Sequence, residues 1–399
     1  MFPFEDINDF NIRMDQEHEL FRKSIRQFCE DKLSPIIMDV ERTNDIPKGV
    51  IDDAKKLGLT GIGIPQEYGG QGGDMRMQVI MSEEISRVLP SFGTMLLVNH
   101  LFVDPLIIFG TEEQKSRYVV PVATGKALAA HASTEPGAGS DVAGISTTAK
   151  KVETGWVLNG RKAFITNADR ADFFLASART SPINPQSRWR GLSTFIVERS
   201  FNGLEIGHKF DVIGLRGEQP NEVIFNNVTV PEANLVGKPN EGFKVVVTTY
   251  DYSRILIAAQ AVGIAQAAFE MAFNYSTQRN AFEKPIASFE GVAFKISDML
   301  MELEAARLLT YWAAYLADTK KEFYMASSIA KTYSTETAEK LASLAIKIHG
   351  GAGVDRDTGV ERFLRDSVIT TIYEGANDIQ RLTIFRSLLK MVSKNLEVS

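Results

Sequence analysis

One cysteine, Cys29, is all the thiol chemistry this chain of 399 residues holds. An internal disulfide and a cysteine-rich metal site are therefore excluded, which fits a reducing compartment. Cys29 lies on the apolar stripe Leu20, Phe21, Ile25, Phe28 and Leu33, where a packed core thiol is expected. The five histidines (His18, His100, His131, His208, His349) are scattered and no His-Glu-x-x-His occurs, so no metal site is expected. A Walker A run, a Gly-x-Gly-x-x-Gly after a strand and a Gly-x-Ser-x-Gly elbow are missing too. There is no basic surplus: the formal net charge is −6, against nucleic acid as a partner. The opening MFPFEDINDFN is acidic where a targeting peptide would be basic. The most apolar long run, 255–273, contains Gln260, Gln266 and Glu270, as a buried bundle helix would and a membrane span would not. A cytoplasmic protein without a membrane span is expected.

What is present divides into three sections. Residues 1–130 read as a helical domain. Asp15 precedes an amphipathic run, and Thr111 with Glu112, Glu113 and Gln114 behind it has the pattern of an N-cap. Residues 131–237 read as a middle antiparallel β domain of short strands, with Asn159-Gly160 in WVLNGRKAFIT predicting a hairpin turn. Residues 238–399 return to helical periodicity, and four segments, 242–279, 289–318, 322–348 and 376–395, predict a C-terminal four-helix bundle. The fold class is α+β, mostly α; helix–sheet–helix order without βαβ alternation argues against a doubly wound sheet.

Several stretches carry chemistry. HASTEPGAGSD (131–141) combines Pro136, Gly137 and Gly139, which let backbone turn close to a planar or anionic ligand, with the hydroxyls of Thr134 and Ser140. RKAFITNA (161–168) places Phe164 and Thr166 on one face of a strand, either as core or as the wall of a flavin site. YDYSR sets Asp251 and Arg254 at i, i+3, which taken alone is equally a surface ion pair. RNAFEKPI puts Arg279 and Phe282 at a helix end, and IHGGAG is a glycine loop; each fits a phosphate or a plain connection. Glu374 stands in TIYEGANDIQR as either a helix-start charge or a base.

In this order, TEPGAGSDVAGI, FITNA, DYSR, RNAFEKPI, IHGGAG, FLRDS and IYEGANDIQR resemble the acyl-CoA dehydrogenase family, its short- and medium-chain branch, over essentially the whole chain. The resemblance implies noncovalent FAD, a fatty acyl-CoA substrate and α,β-dehydrogenation to the trans-2-enoyl-CoA. It further implies electron transfer flavoprotein as acceptor and a homotetramer, a dimer of dimers sharing FAD sites. Thr134, Thr166 and Phe164, with His131 and Ser133, would surround the flavin, and Ser140 would contact flavin phosphate or CoA. Tyr250, Asp251, Arg254, Tyr373, Gly375 and Arg386 would line the substrate channel. Arg279, Phe282, Gly350 and Gly351 would reach the neighbouring subunit's FAD, and Ala376 and Asp378 would lie at the cofactor. Two positions depart from the family's usual glutamines: Glu290, expected at a ribose hydroxyl, and Lys347, expected at the diphosphate. Ala376 replaces a usual threonine and forfeits a flavin contact.

The reaction needs a desolvated base at Cα, donors for the thioester oxygen and a hydride acceptor at Cβ. Glu374 is the expected base, Met95, Leu96 and Leu97 the expected region of the pocket floor. An acyl-CoA oxidase using oxygen, and a noncatalytic flavin- or CoA-binding homologue, are the alternatives.

Overall fold

The computed structural model describes residues 14–398; the acidic stretch 1–11 lies outside them. The N-terminal part is helical: α1 (Gln16–Phe28), α2 (Ile37–Thr43), α3 (Lys48–Lys56), α4 (Met75–Val88), α5 (Pro90–Phe109) and the short α6 (Glu112–Gln114) and α7 (Val120–Ala123). Asp15 caps α1 by accepting from the His18 amide at 3.0 Å. The His18 ring bridges it to Asp74, the cap of α4, so two helix starts are tied together. Thr111 forms a capping box with Gln114. Cys29 is buried, and burial pushes its thiol up to about 12, as a core thiol requires.

Strands β1 (Ala129–Ala132), β2 (Thr148–Val152), β3 (Gly155–Ile165), β4 (Phe173–Arg179), β5 (Leu192–Glu198), β6 (Leu204–Lys209), β7 (Asn221–Pro231) and β8 (Leu235–Val236) form one sheet. Its order is β6-β7-β3-β2-β4-β5-β8, with β1 added on β4. Most neighbours are antiparallel; β1 runs parallel to β4, and β2 meets β4 in parallel at Thr148 and Arg179.

Asn159-Gly160 does not make the hairpin its composition predicts. Both residues lie inside β3, which pairs on both sides, and they coincide with a register shift against β7 between Leu158 and Gly160. The chain reverses earlier, between Val152 and Gly155. Glycine is required at 160 for space, since a Cβ there would stand 2.3 Å from Thr147 Oγ1. A tight-turn signal was thus a bulge signal.

The C-terminal bundle consists of α8 (Gly242–Gln278), α9 (Glu290–Asp318), α10 (Tyr324–His349) and α12 (Asn377–Val398), with the additional short helix α11 (Arg362–Thr370) before the last. Residues 255–265 of α8 are all buried. This helix packs against α4 and α5 on one side and α9 and α10 on the other, so it is the axis of the molecule. Gly263 permits the closest approach: a Cβ would meet the Glu83 carbonyl at 2.3 Å. Helices α5 and α8 are long and apolar enough to cross a membrane, yet 78% of each apolar window is buried inside the fold.

The segment between β6 and β7 locks the three parts together. Gly214 lies against the Arg365 carbonyl and Gly217 against Val40 and Ile46; a Cβ would come within 2.3 and 2.8 Å of them. The Leu215 amide donates to Asp366 at 2.5 Å.

Candidate active site

The loop after β1 is held from beneath. Glu135 is buried and accepts from the Ser146 amide and hydroxyl, the Thr147 amide and the Lys162 ammonium, the last at 2.8 Å. Lys162, fully buried, also donates to the Ser133 carbonyl at 3.1 Å. Burial would raise the Glu135 carboxyl, but Lys162 and these hydrogen bonds outweigh it and hold it down to about 2. Above this anchor Thr134 is half-exposed, Ser140 is exposed, and the positions over Gly137 and Gly139 are open space. Ser133 points its hydroxyl inward to Ser177 at 3.3 Å.

The regular strand expected to carry Phe164 and Thr166 on one face does not reach Thr166. β3 shifts register between Lys162 and Ile165 and ends there, and Phe164 takes a left-handed φ of 57°. The deviation turns Phe164 outward: it is 56% exposed and stacks on Phe210 at 4.1 Å. Thr166 follows it, half-buried, while Asn167 pins the turn to the Met95 and Ala129 carbonyls. Residues 164–167 are thus shaped to present an aromatic ring and a hydroxyl.

On α8, Tyr250, Ser253 and Arg254 share one helical face. Tyr250 reaches back to the β domain, its hydroxyl 3.2 Å from His131 Nε2. Arg254 is buried, donates to Asp251 at 2.6 Å and leaves its Nε without a partner among the described residues. Ser253 Oγ donates to Glu374 Oε2 at 2.6 Å. Glu374 stands in the turn between α11 and α12 with φ of 52°, followed by Gly375 at 94°. Burial raises its carboxyl, against the opposing pulls of Ser253, Arg254 and Lys331. Tyr373 hydrogen-bonds Gln260, whose amide donates to the Pro90 carbonyl at 3.0 Å and Thr94 Oγ1 at 2.8 Å. The three expected floor residues separate: Leu97 packs in the cluster that Tyr373 joins, whereas Met95 and Leu96 belong to the cluster of α1–α4.

Other expected residues lie elsewhere on this chain. Arg279 and Phe282 sit past the end of α8, about 40 Å from Asp251 at the helical rise per residue. Phe282 is 88% exposed at the tip of a small hairpin (Asn280–Ala281 with Lys284–Pro285). Glu290, Lys347, Gly350 and Gly351 are exposed around the bundle's outer end. Ala376 is half-buried beside Glu374, Asp378 is exposed and pairs with Arg381 at 3.5 Å, and Arg386 is exposed further along α12. The outer group cannot reach the cleft at Glu374 from within one chain.

Sequence reasoning missed Ser253, Gln260, Lys162, Glu135 and Lys331. The buried lysines carried a signal, each being a charge placed in an apolar or small-residue stretch. It also missed a groove of about 510 Å³ lined by Trp189, Glu241, Phe243, Lys244 and Val247, where Phe243 packs against the glycine loop's cluster at Ala138 and Ile145.

Helical layer, bulged sheet and bundle hold a carboxyl raised by burial at Glu374 and, on the β domain, an outward aromatic ring with hydroxyls beside it, the kinds of groups a flavin-binding oxidoreductase uses. Family profiles match the acyl-CoA dehydrogenase N-terminal domain at residues 15–126, middle domain at 130–228 and C-terminal domain at 240–389. An acyl-CoA dehydrogenase of Bacillus subtilis is 42% identical over 379 residues, 95% of this chain and 99% of that one. The caffeyl-CoA reductase–Etf complex subunit CarC of Acetobacterium woodii is 40% identical over 377 residues, 94% and 99% of the two chains. The butyryl-CoA dehydrogenase structure from Megasphaera elsdenii superposes with a TM-score of 0.92 at 36% identity, covering 94% and 99%. The chain belongs to the acyl-CoA dehydrogenase family, flavin oxidoreductases that depend on FAD.

The residues present fit that cofactor. An outward aromatic ring at Phe164, the hydroxyls of Thr134 and Thr166, and open space above Gly137 and Gly139 suit a planar ring with polar edges.

Proposed function

We propose that the protein dehydrogenates a short or compact acyl-CoA between Cα and Cβ, giving the trans-2-enoyl-CoA, with Glu374 as the base. The observation that carries this reading is the Glu374 carboxyl, bonded to Ser253 and raised by burial, on the same side as Tyr250 and the glycine loop. A raised carboxyl is a stronger proton acceptor near neutral pH than an exposed one. Glu374 takes the Cα proton; Ser253 and Arg254 keep its anion oriented. When bound between Phe164, Thr134 and Thr166, FAD supplies the acceptor for the Cβ hydride. The groove at Trp189 and Phe243 suits the CoA arm as it passes the glycine loop.

An acyl tail whose Cα meets Glu374 would run past Tyr373, its neighbour in the chain. The Tyr373–Gln260–Thr94 hydrogen bonds form a buried polar wall, which disfavours a long methylene chain. The butyryl-CoA dehydrogenase relative supports a short acyl group, and the caffeyl-CoA reductase relative a compact aryl one. The Etf complex of the latter supports electron transfer flavoprotein as acceptor.

Self-association belongs to the same reading. Phe282, Phe294, Met301, Phe385 and Leu389 are all exposed apolar side chains of the C-terminal part, as an interface between copies requires. A homotetramer would carry Arg279, Phe282, Glu290, Lys347 and Gly351 to a neighbour's FAD. The test is anaerobic addition of butyryl-, octanoyl- and 3-phenylpropionyl-CoA to the purified yellow protein. Bleaching by the first or third supports the proposal. Rapid peroxide formation in air indicates the oxidase alternative, and a colourless, inert protein overturns catalysis.

A further inference from the structure

Lys331 is fully buried about two turns into α10, and nothing in the chemistry above requires a cation there. Its ammonium donates to the Gly375 carbonyl at 2.9 Å and to Asn377 Oδ1 at 2.8 Å. The same carbonyl also accepts from Gln380 Nε2 at 3.1 Å. Both of these partners are themselves held by α10: Ser328 donates to Gln380 at 3.0 Å, and Asn377 donates to Thr335 at 3.0 Å. Lys331, Ser328 and Thr335 lie on one helical face at i, i−3 and i+4. The peptide following Glu374 is therefore fastened to α10 at several points.

That fastening falls where the backbone needs it. Glu374 is a non-glycine residue in the left-handed region, and such a conformation persists only when its surroundings hold it. Gly375 is left-handed as well and is crowded: a Cβ would stand 2.1 Å from Gln380 Nε2. The charges facing Lys331 are Glu374 from the turn, Arg254 from α8 and Glu336 from its own helix. Arg254 is engaged by Asp251, and Glu336 by Arg381 at 2.7 Å. The Lys331 charge lowers the Glu374 carboxyl, after the larger pulls of Ser253 and Arg254.

We propose that Lys331 is a positioning residue of this active site: its hydrogen bonds to the Gly375 carbonyl and Asn377 lock the Glu374–Gly375 turn and leave its ammonium next to the base. The inference rests on Glu374 being the base. A buried ammonium here carries a cost, and burial pulls it down to about 7. A role in fixing the turn and the base explains why it is retained in a site where neutral donors would satisfy the same oxygens.

The experiment compares wild type, Lys331→Gln, Lys331→Met and Glu374→Gln as FAD-loaded proteins. Flavin content and melting temperature are measured first. Exchange of the acyl-CoA α-hydrogen with D2O is then followed by NMR in the dithionite-reduced enzyme, where only the base acts, as a function of pH. Lys331→Gln keeps a donor but loses the charge; its acid limb should move to higher pH, because an unassisted carboxylate protonates more readily. Lys331→Met loses both, and its plateau exchange rate should also fall roughly tenfold or more from misplacement of the base, with the KM for acyl-CoA little changed. If Lys331→Met does not fold, the shift in Lys331→Gln decides. A folded variant whose limb and plateau both match wild type overturns the inference. Wild-type exchange in Glu374→Gln overturns the assignment of the base instead, so the two failures are distinguishable.

Discussion

Ser253 Oγ and Glu374 Oε2 are 2.6 Å apart, the hydroxyl of one turn of α8 donating to a carboxylate far along the chain. This contact lowers the Glu374 carboxyl while burial raises it, and burial wins. The base is active only when ionised, so turnover should fall as pH drops through a value above that of an exposed glutamate. Ser253→Ala removes the lowering contact. Its acid limb should lie at still higher pH, with the high-pH plateau kept within several-fold, when anaerobic flavin reduction is measured across pH. An unmoved limb would show that the hydroxyl does not tune the base.

Glu374→Gln preserves shape and removes basicity. The variant should stay yellow, bind acyl-CoA and lose turnover by about 10²–10⁴-fold, the usual worth of a positioned base. Full activity in stopped-flow reduction would move the base elsewhere.

The Lys162–Glu135 pair should matter for acid stability. Glu135 has a folded value of about 2, below its ordinary 4.5, so its contribution is complete above about 4.5 and is lost as pH falls toward 2. The melting temperature of Glu135→Gln should trail wild type at neutral pH, and the gap should close over that window. Lys162→Met, which strands a buried carboxylate, should cost about 3–5 kcal/mol and loosen flavin binding, as calorimetry and flavin titration would show.

The wall at Gln260 predicts a specificity change. Gln260→Ala frees Tyr373 and Thr94 and leaves space at the end of the pocket. The ratio of kcat/KM for octanoyl-CoA to that for butyryl-CoA should rise roughly tenfold. An unchanged ratio would place the chain-length limit at another residue.

The bundle was legible because long helices announce themselves by period; each long segment ends within a few residues of its expected bound. Helix α11 was not drawn, being nine residues between turns. Asn159-Gly160 misled because one dipeptide serves both a tight turn and a bulge, and the choice depends on β7, which lies more than sixty residues on. Glu374 and the glycine loop were readable as motifs. Ser253 and Lys331 were not, since their meaning arises from contact with a turn more than forty residues away.

The interlock at Gly214 and Gly217 has a kinetic consequence. With the segment between β6 and β7 pressed against α11 on one side and Val40 and Ile46 on the other at distances no side chain could enter, this junction offers no free hinge. A ligand then meets walls already in place, and the ordering cost falls on its own flexible arm. Turnover governed by such a rigid mouth should respond to the length and stiffness of the incoming thioester more than to solvent viscosity.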